Sequence, residues 1–212
     1  GLATTLADPS TGALVEGALP EGRSSVLLDR DGQNALFEHV ILPVVRRYGP
    51  MGLRADLGQQ IFAWEFMNEL DFVVEEWEQD LSPHVRRPLP FVTLAGLVGR
   101  FSQMVHAYSG ALATVGGGRA RNLWAWDDDA LDLDILQVHQ YPDTRHPERD
   151  DDLSRTPWAA LGLKRRVIVG EYPGDPVNQH PAIAAPAAIP LDVYLEAALE
   201  NGYAGVWPWS FS

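Results

Sequence analysis

The feature that most constrains this chain is an alternation of helix-patterned stretches with short, continuously apolar runs. Leu36, Val40, Ile41, Val44 and Val45 follow helical spacing, and Tyr48-Gly49-Pro50 closes that helix. Residues 61–67 (IFAWEFM) read as an aromatic-rich strand. Leu94, Leu97, Val98, Phe101, Val105 and Tyr108 mark a second helix, ended by Gly110. A short strand at 111–115 runs into Gly116-Gly117-Gly118, and a short helix is predicted over 119–126. Residues 135–138 form the next strand, 158–163 a helix and 166–169 a further strand. Leu191, Tyr194, Leu195 and Ala198 give a last helix, capped by Asn201-Gly202, before a strand at 203–209. Strands buried on both faces read as unbroken apolar runs, so this order predicts a parallel sheet covered by helices. Five strands fit either a doubly wound sheet or part of an eight-stranded barrel.

The polar residues at the strand ends separate these two folds. Four strands end in side chains with chemical potential: Asn68-Glu69, His139 with Tyr141, Glu171, and Trp209. Parallel α/β barrels gather their sites at the C-terminal ends of many strands. An open sheet concentrates its site at one switch point. The distribution therefore favours the barrel. Two carboxylates dominate the set. Glycoside hydrolysis uses one carboxylic acid to protonate the leaving oxygen and a second carboxylate across the sugar. Strand ends of one barrel can bring such residues together although they lie far apart in sequence.

WEFMNEL, at 64–70, resembles the fourth-strand motif of clan A glycoside hydrolases. There, Asn-Glu supplies a ligand for the 2-hydroxyl and the acid/base, which the resemblance carries to Asn68 and Glu69. The preceding Trp64-Glu65 is similar to the form in family 5 mannanases and cellulases. LDILQVHQYP resembles the sixth strand, placing His139 and Tyr141 near the nucleophile. RVIVGEYPG resembles the seventh, with Glu171 as nucleophile. GYAGVWPWS resembles the eighth, with Trp209 as the floor of the −1 subsite. The resemblance covers roughly residues 35–212. It implies a single domain, 1–212, with 1–30 a long loop. The implied fold is a (β/α)8 TIM barrel of glycosidase type, incomplete, with strands four to eight present and strands one to three missing.

The resemblance implies a retaining hydrolase of a β-linked glucan, mannan or related glycan, with Glu69 as acid/base and Glu171 as nucleophile. Such chemistry needs no metal or organic cofactor. Two alternatives stay open: a noncatalytic carbohydrate-binding relative or inactive fragment, and another barrel enzyme using Glu as a base.

The chain departs from the family in two ways. Leu70 stands where a Pro is usual. The 212 residues also fall short of the ~250 of a whole barrel. The family's second-strand Arg and third-strand His have no counterpart, so a fragment is expected, with the N-terminal part of the barrel as its partner. Five strands alone leave two sheet edges unpaired.

Composition narrows the partners. A formal net charge of −13 argues against nucleic acid and anionic membrane. The absence of cysteine excludes disulfides and thiolate sites. The first residues lack the pattern of a signal peptide, which leaves extracellular and cytoplasmic locations both open.

The remaining polar and aromatic residues have structural readings. Glu65 is expected in a salt bridge inside the barrel. Trp64, Trp124, Trp158 and Trp207 are expected to pack, and Trp77 to lie on a loop, open to a distal subsite. Asp127-Asp128-Asp129 and Asp150-Asp151-Asp152 read as solvated charge. His39 and His106 read as structural, while His146 and His180 have no assigned role.

Overall fold

A computed structural model describes residues 6–7, 14–15, 26–83, 85, 87–141, 153–173 and 190–209. Five strands form one parallel sheet in chain order: β1 (Ala63–Phe66), β2 (Leu112–Gly117), β3 (Leu136–His139), β4 (Val167–Pro173) and β5 (Gly205–Trp209). Helices cover one face. They are α1 (Arg30–Leu36), α2 (Leu42–Tyr48), α3 (Ala55–Gly58), α4 (Phe91–Tyr108), α5 (Leu123–Trp126) and α6 (Leu191–Glu200). Most of the 1–30 loop lies outside the described residues. Within it, Leu6–Ala7 pairs antiparallel with Leu14–Val15, and residues 26–28 are helical.

The core fills the space between helices and sheet. Leu94, Leu97, Val98, Phe101 and Val105 of α4 bury the stripe that their spacing predicts. They meet Phe66, Ala113, Val115, Leu136, Val138, Val167 and Val169 from the strands in one cluster. The other face is concave. Phe62, just before β1, meets Trp207 of β5 edge-on, with ring centroids 6.4 Å apart. Three strands separate these two, so the sheet must curl for its outermost members to touch. In an eight-stranded barrel, the first and fifth of five consecutive strands lie half a circumference apart. The structure is thus a half-barrel, with Phe62, Trp207 and Trp209 exposed.

The first helix departs from the expected pattern. Among its five predicted core positions, Val45 is fully buried, but Val40 and Val44 are exposed. The reason is a π-helical turn, Phe37–Ile41, inserted between α1 and α2. The wider turn rotates the inward stripe and brings Phe37 into the core. Phe37 stacks on Phe66 at 6.1 Å, beneath the Arg100 guanidinium at 4.2 Å.

Several surface expectations also change. Asp127 is buried and pairs with Arg165 at 3.0 Å, while Asp129 holds Lys164 at 2.7 Å. That run ties α5 to the entry of β4 instead of facing solvent alone. Trp77 packs against Phe91 and Trp126. Trp124 and Trp207 are exposed instead of packed. His106 is structural, clamped by Asp132 at 3.0 Å and Asp134 at 2.8 Å. His146, His180 and Asp150-Asp151-Asp152 lie outside the described residues.

The π-turn makes a discriminating prediction. Phe37→Ala lowers unfolding free energy by about 3–5 kcal/mol. Val40→Ala, although on the predicted stripe, changes it by less than about 0.5 kcal/mol. Urea unfolding measures both.

Candidate active site

The C-terminal ends of β1, β3 and β4 bring four predicted residues together. The chain leaves β1 through two left-handed non-glycine residues, Met67 (φ 57°) and Glu69 (φ 51°), on either side of Asn68. Each costs on the order of 1–3 kcal/mol and persists only where surroundings over-determine it. The surroundings are a 3-10 turn, Leu70–Val73, whose Leu70 and Asp71 are buried. Leu70 therefore anchors the loop by burial.

Asp71, which belongs to no motif in the sequence, fixes this loop. Its Oδ2 accepts from the backbone N–H groups of Gly118 (2.7 Å) and Arg119 (2.6 Å), and its Oδ1 from Trp126 Nε1 (2.8 Å). Asp80 binds the next segment, accepting from Asn122 Nδ2 at 3.0 Å and pairing with Arg119 and Arg121. The loop after β1 is thereby tied to the loop after β2. Burial pushes the Asp71 carboxyl up to about 6, against the three donors that pull it down.

On β3, Leu136 and Val138 join the core, so Gln137 and His139 face the concave side. On β4, Val167, Val169 and Tyr172 join the core. Strict alternation would send Glu171 outward with the two valines. A bulge prevents this: Val138 pairs with Val169, but His139 pairs with Glu171. The extra residue, Gly170, turns Glu171 inward, opposite His139.

His139 Nδ1 lies 3.1 Å from Glu69 Oε1 and 3.4 Å from Glu171 Oε2. Tyr141 donates its hydroxyl to Glu171 Oε2 at 2.7 Å. Burial first, and the Glu171 carboxylate second, push that hydroxyl above its ordinary range, so it remains a donor. One ligand atom each from Glu69, His139 and Glu171 lie within 4.8 Å of one another. Two carboxylates and an imidazole at this spacing are also a donor set able to hold a divalent ion. Side-chain exposure grades from 2% at His139 through 12% at Glu171 to 28% at Glu69. Glu171 thus sits deep and Glu69 nearer the opening.

Asn68 and Trp209 are exposed, and among the described residues neither hydrogen-bonds to this group. Glu65 forms no salt bridge in the described structure. It accepts a hydrogen bond from Gln137, to which the resemblance assigns no role. Gln137 was findable, because it precedes His139 by two and therefore shares its face.

No family model matches the sequence, and no curated protein matches it. Solved structures do match. A β-1,4-mannanase from the common sea hare Aplysia kurodai aligns over 88% of this chain at 15% identity, with a TM-score of 0.66. A β-mannanase from the blue mussel Mytilus edulis aligns over 88% at 16% identity, with a TM-score of 0.63. A β-1,4-D-mannanase from Cryptopygus antarcticus gives 16% identity and 0.64. The chain spans 57%, 57% and 55% of their respective lengths. The shared feature is the fold, that of part of a (β/α)8 barrel.

Asp71 sets a pH dependence of stability. Its folded pKa lies above the ordinary 3.8, so the folded state binds the proton more tightly than the unfolded state. Stability therefore falls as pH rises from about 4 to about 6, by about 3 kcal/mol, and this contribution is flat above. Unfolding free energies across that range show the slope. Asp71→Asn, which has no proton to lose, removes it.

Proposed function

We propose that the protein hydrolyses a β-linked mannan or related β-glycan with retention of anomeric configuration, using Glu69 as acid/base and Glu171 as nucleophile. One observation carries the reading: carboxylate oxygens of Glu69 and Glu171 lie within 4.8 Å, on either side of one imidazole nitrogen. Retaining pairs stand ~5–5.5 Å apart, whereas inverting pairs stand ~6.5–9.5 Å apart to admit a water. Mannan is the first substrate to test because the three compared enzymes, which share the fold, are β-mannanases.

In the first step Glu171 attacks the anomeric carbon while protonated Glu69 gives its proton to the departing glycosidic oxygen. The carbon–oxygen bond breaks and a glycosyl ester forms on Glu171. Glu69, now ionised, then takes a proton from water, whose oxygen attacks the same carbon and frees the carboxylate. Tyr141 holds one Glu171 oxygen by its hydrogen bond, which leaves the other free to attack. Asn68 takes the 2-hydroxyl and Trp209 supplies an apolar floor for the sugar. The partner in this reading, besides carbohydrate, is the N-terminal part of the barrel, three strands that close the gap between β1 and β5.

Glu69→Ala and Glu171→Ala each lower kcat/KM on an aryl β-mannoside by at least about 10²–10⁴-fold. A 2-deoxy-2-fluoro mannoside labels Glu171, read by peptide mass spectrometry. Wild-type activity in either variant, or a label elsewhere in active protein, contradicts the assignment.

A further inference from the structure

We propose that Glu65 and Gln137 form a positioning strut that sets the acid/base glutamate against His139 from one layer beneath. The inference rests on the function proposed above and adds two residues to its machinery.

β1 and β3 are not neighbours, because β2 lies between them. Their side chains nevertheless meet twice. In the lower contact, Gln137 Nε2 donates to Glu65 Oε2. Higher up, two residues along β3, His139 Nδ1 meets Glu69 Oε1 at 3.1 Å. The lower contact fixes the spacing at which the upper one forms.

Two glycines make room for it. A Cβ on Gly116 of β2 would lie 2.5 Å from Glu65 Oε1 and 2.8 Å from the Met67 carbonyl oxygen. A Cβ on Gly170 of β4 would lie 2.1 Å from Gln137 Oε1. Real Cβ atoms essentially never approach so closely. Neither glycine has positive φ, so space rather than backbone freedom demands them. Gly170 is also the bulge residue that aims Glu171. Four strands thus carry residues whose sizes agree around one carboxyl–amide contact.

A filler role would be served as well by apolar side chains. Here a carboxyl is kept facing Glu69, Glu171 and His139. Packing around that carboxyl raises its pKa although the residue as a whole is exposed, and the Gln137 bond and His139 oppose the rise.

The test separates strut from charge. Glu65→Ala lowers kcat about tenfold to a hundredfold with little change in KM, because a displaced acid/base loses its proton-transfer geometry. Glu65→Gln keeps an acceptor for Gln137 and restores most of kcat. Lacking the negative charge, it moves both limbs of the pH profile to lower pH. Gln137→Met cuts the same contact from the other end and carries the test if Glu65→Ala does not fold. Independently of turnover, ¹⁵N NMR of the His139 ring shows Nδ1 altered in Glu65→Ala and close to wild type in Glu65→Gln. An unaltered His139 resonance in folded Glu65→Ala or Gln137→Met overturns the strut, as does an unchanged kcat. Absence of hydrolysis in the wild type overturns the proposed function instead, and the NMR comparison still decides the strut.

Discussion

The bulge at Gly170 is the feature on which the candidate site depends. Side chains of a strand alternate faces, and β4 spends its outward positions, Val167 and Val169, on the core beneath the helices. One inserted residue reverses the parity, so that Glu171 faces His139 and Tyr172 returns to the core. The lost ladder contact is recovered nearby, where Gln140 N–H donates to the Glu171 carbonyl at 2.8 Å. Removing the bulge would send the carboxylate into apolar packing, at the desolvation cost of an unpaired buried charge.

Around that point the site is built from opposed costs. The left-handed turn at Met67 and Glu69 is unfavourable, and the buried Asp71 holds it by accepting three hydrogen bonds. Asp71 in turn bears a desolvation cost that appears as its raised pKa. The strain thus falls on Glu69 itself, the residue to which we assign the proton transfer, and backbone outliers cluster at functional sites. The curvature of the sheet completes the arrangement. It brings the ends of non-adjacent strands within hydrogen-bonding distance, and Phe62, Trp207 and Trp209 are exposed.

Much of this was legible in the sequence because parallel strands advertise themselves. Their apolar runs gave all five strands, and the polar residues that stop them gave Glu69, His139, Tyr141 and Glu171, which the fold brings together. The α4 stripe was equally plain from Leu94 to Val105, although Tyr108, on the same spacing, is exposed. What stayed hidden depends on register. A π-turn leaves no periodic mark, so Val40 and Val44 read as core although Phe37 takes their place. The bulge is invisible for the same reason. Asp71 and Glu65 were missed or misassigned because a carboxylate's partners here are backbone N–H groups, an indole and an amide. None of these has the charge signature that a sequence displays.

In the proposed mechanism Glu171 attacks the sugar directly while Glu69 transfers the proton, which requires the two to stand close together. The stereochemistry of the product tests it without altering any residue. Proton NMR of an early reaction mixture with a β-mannoside reads the anomeric configuration of the first sugar released, before mutarotation. The β-anomer is predicted, from two successive inversions at one carbon. The α-anomer, formed in a single displacement by water, would contradict the account.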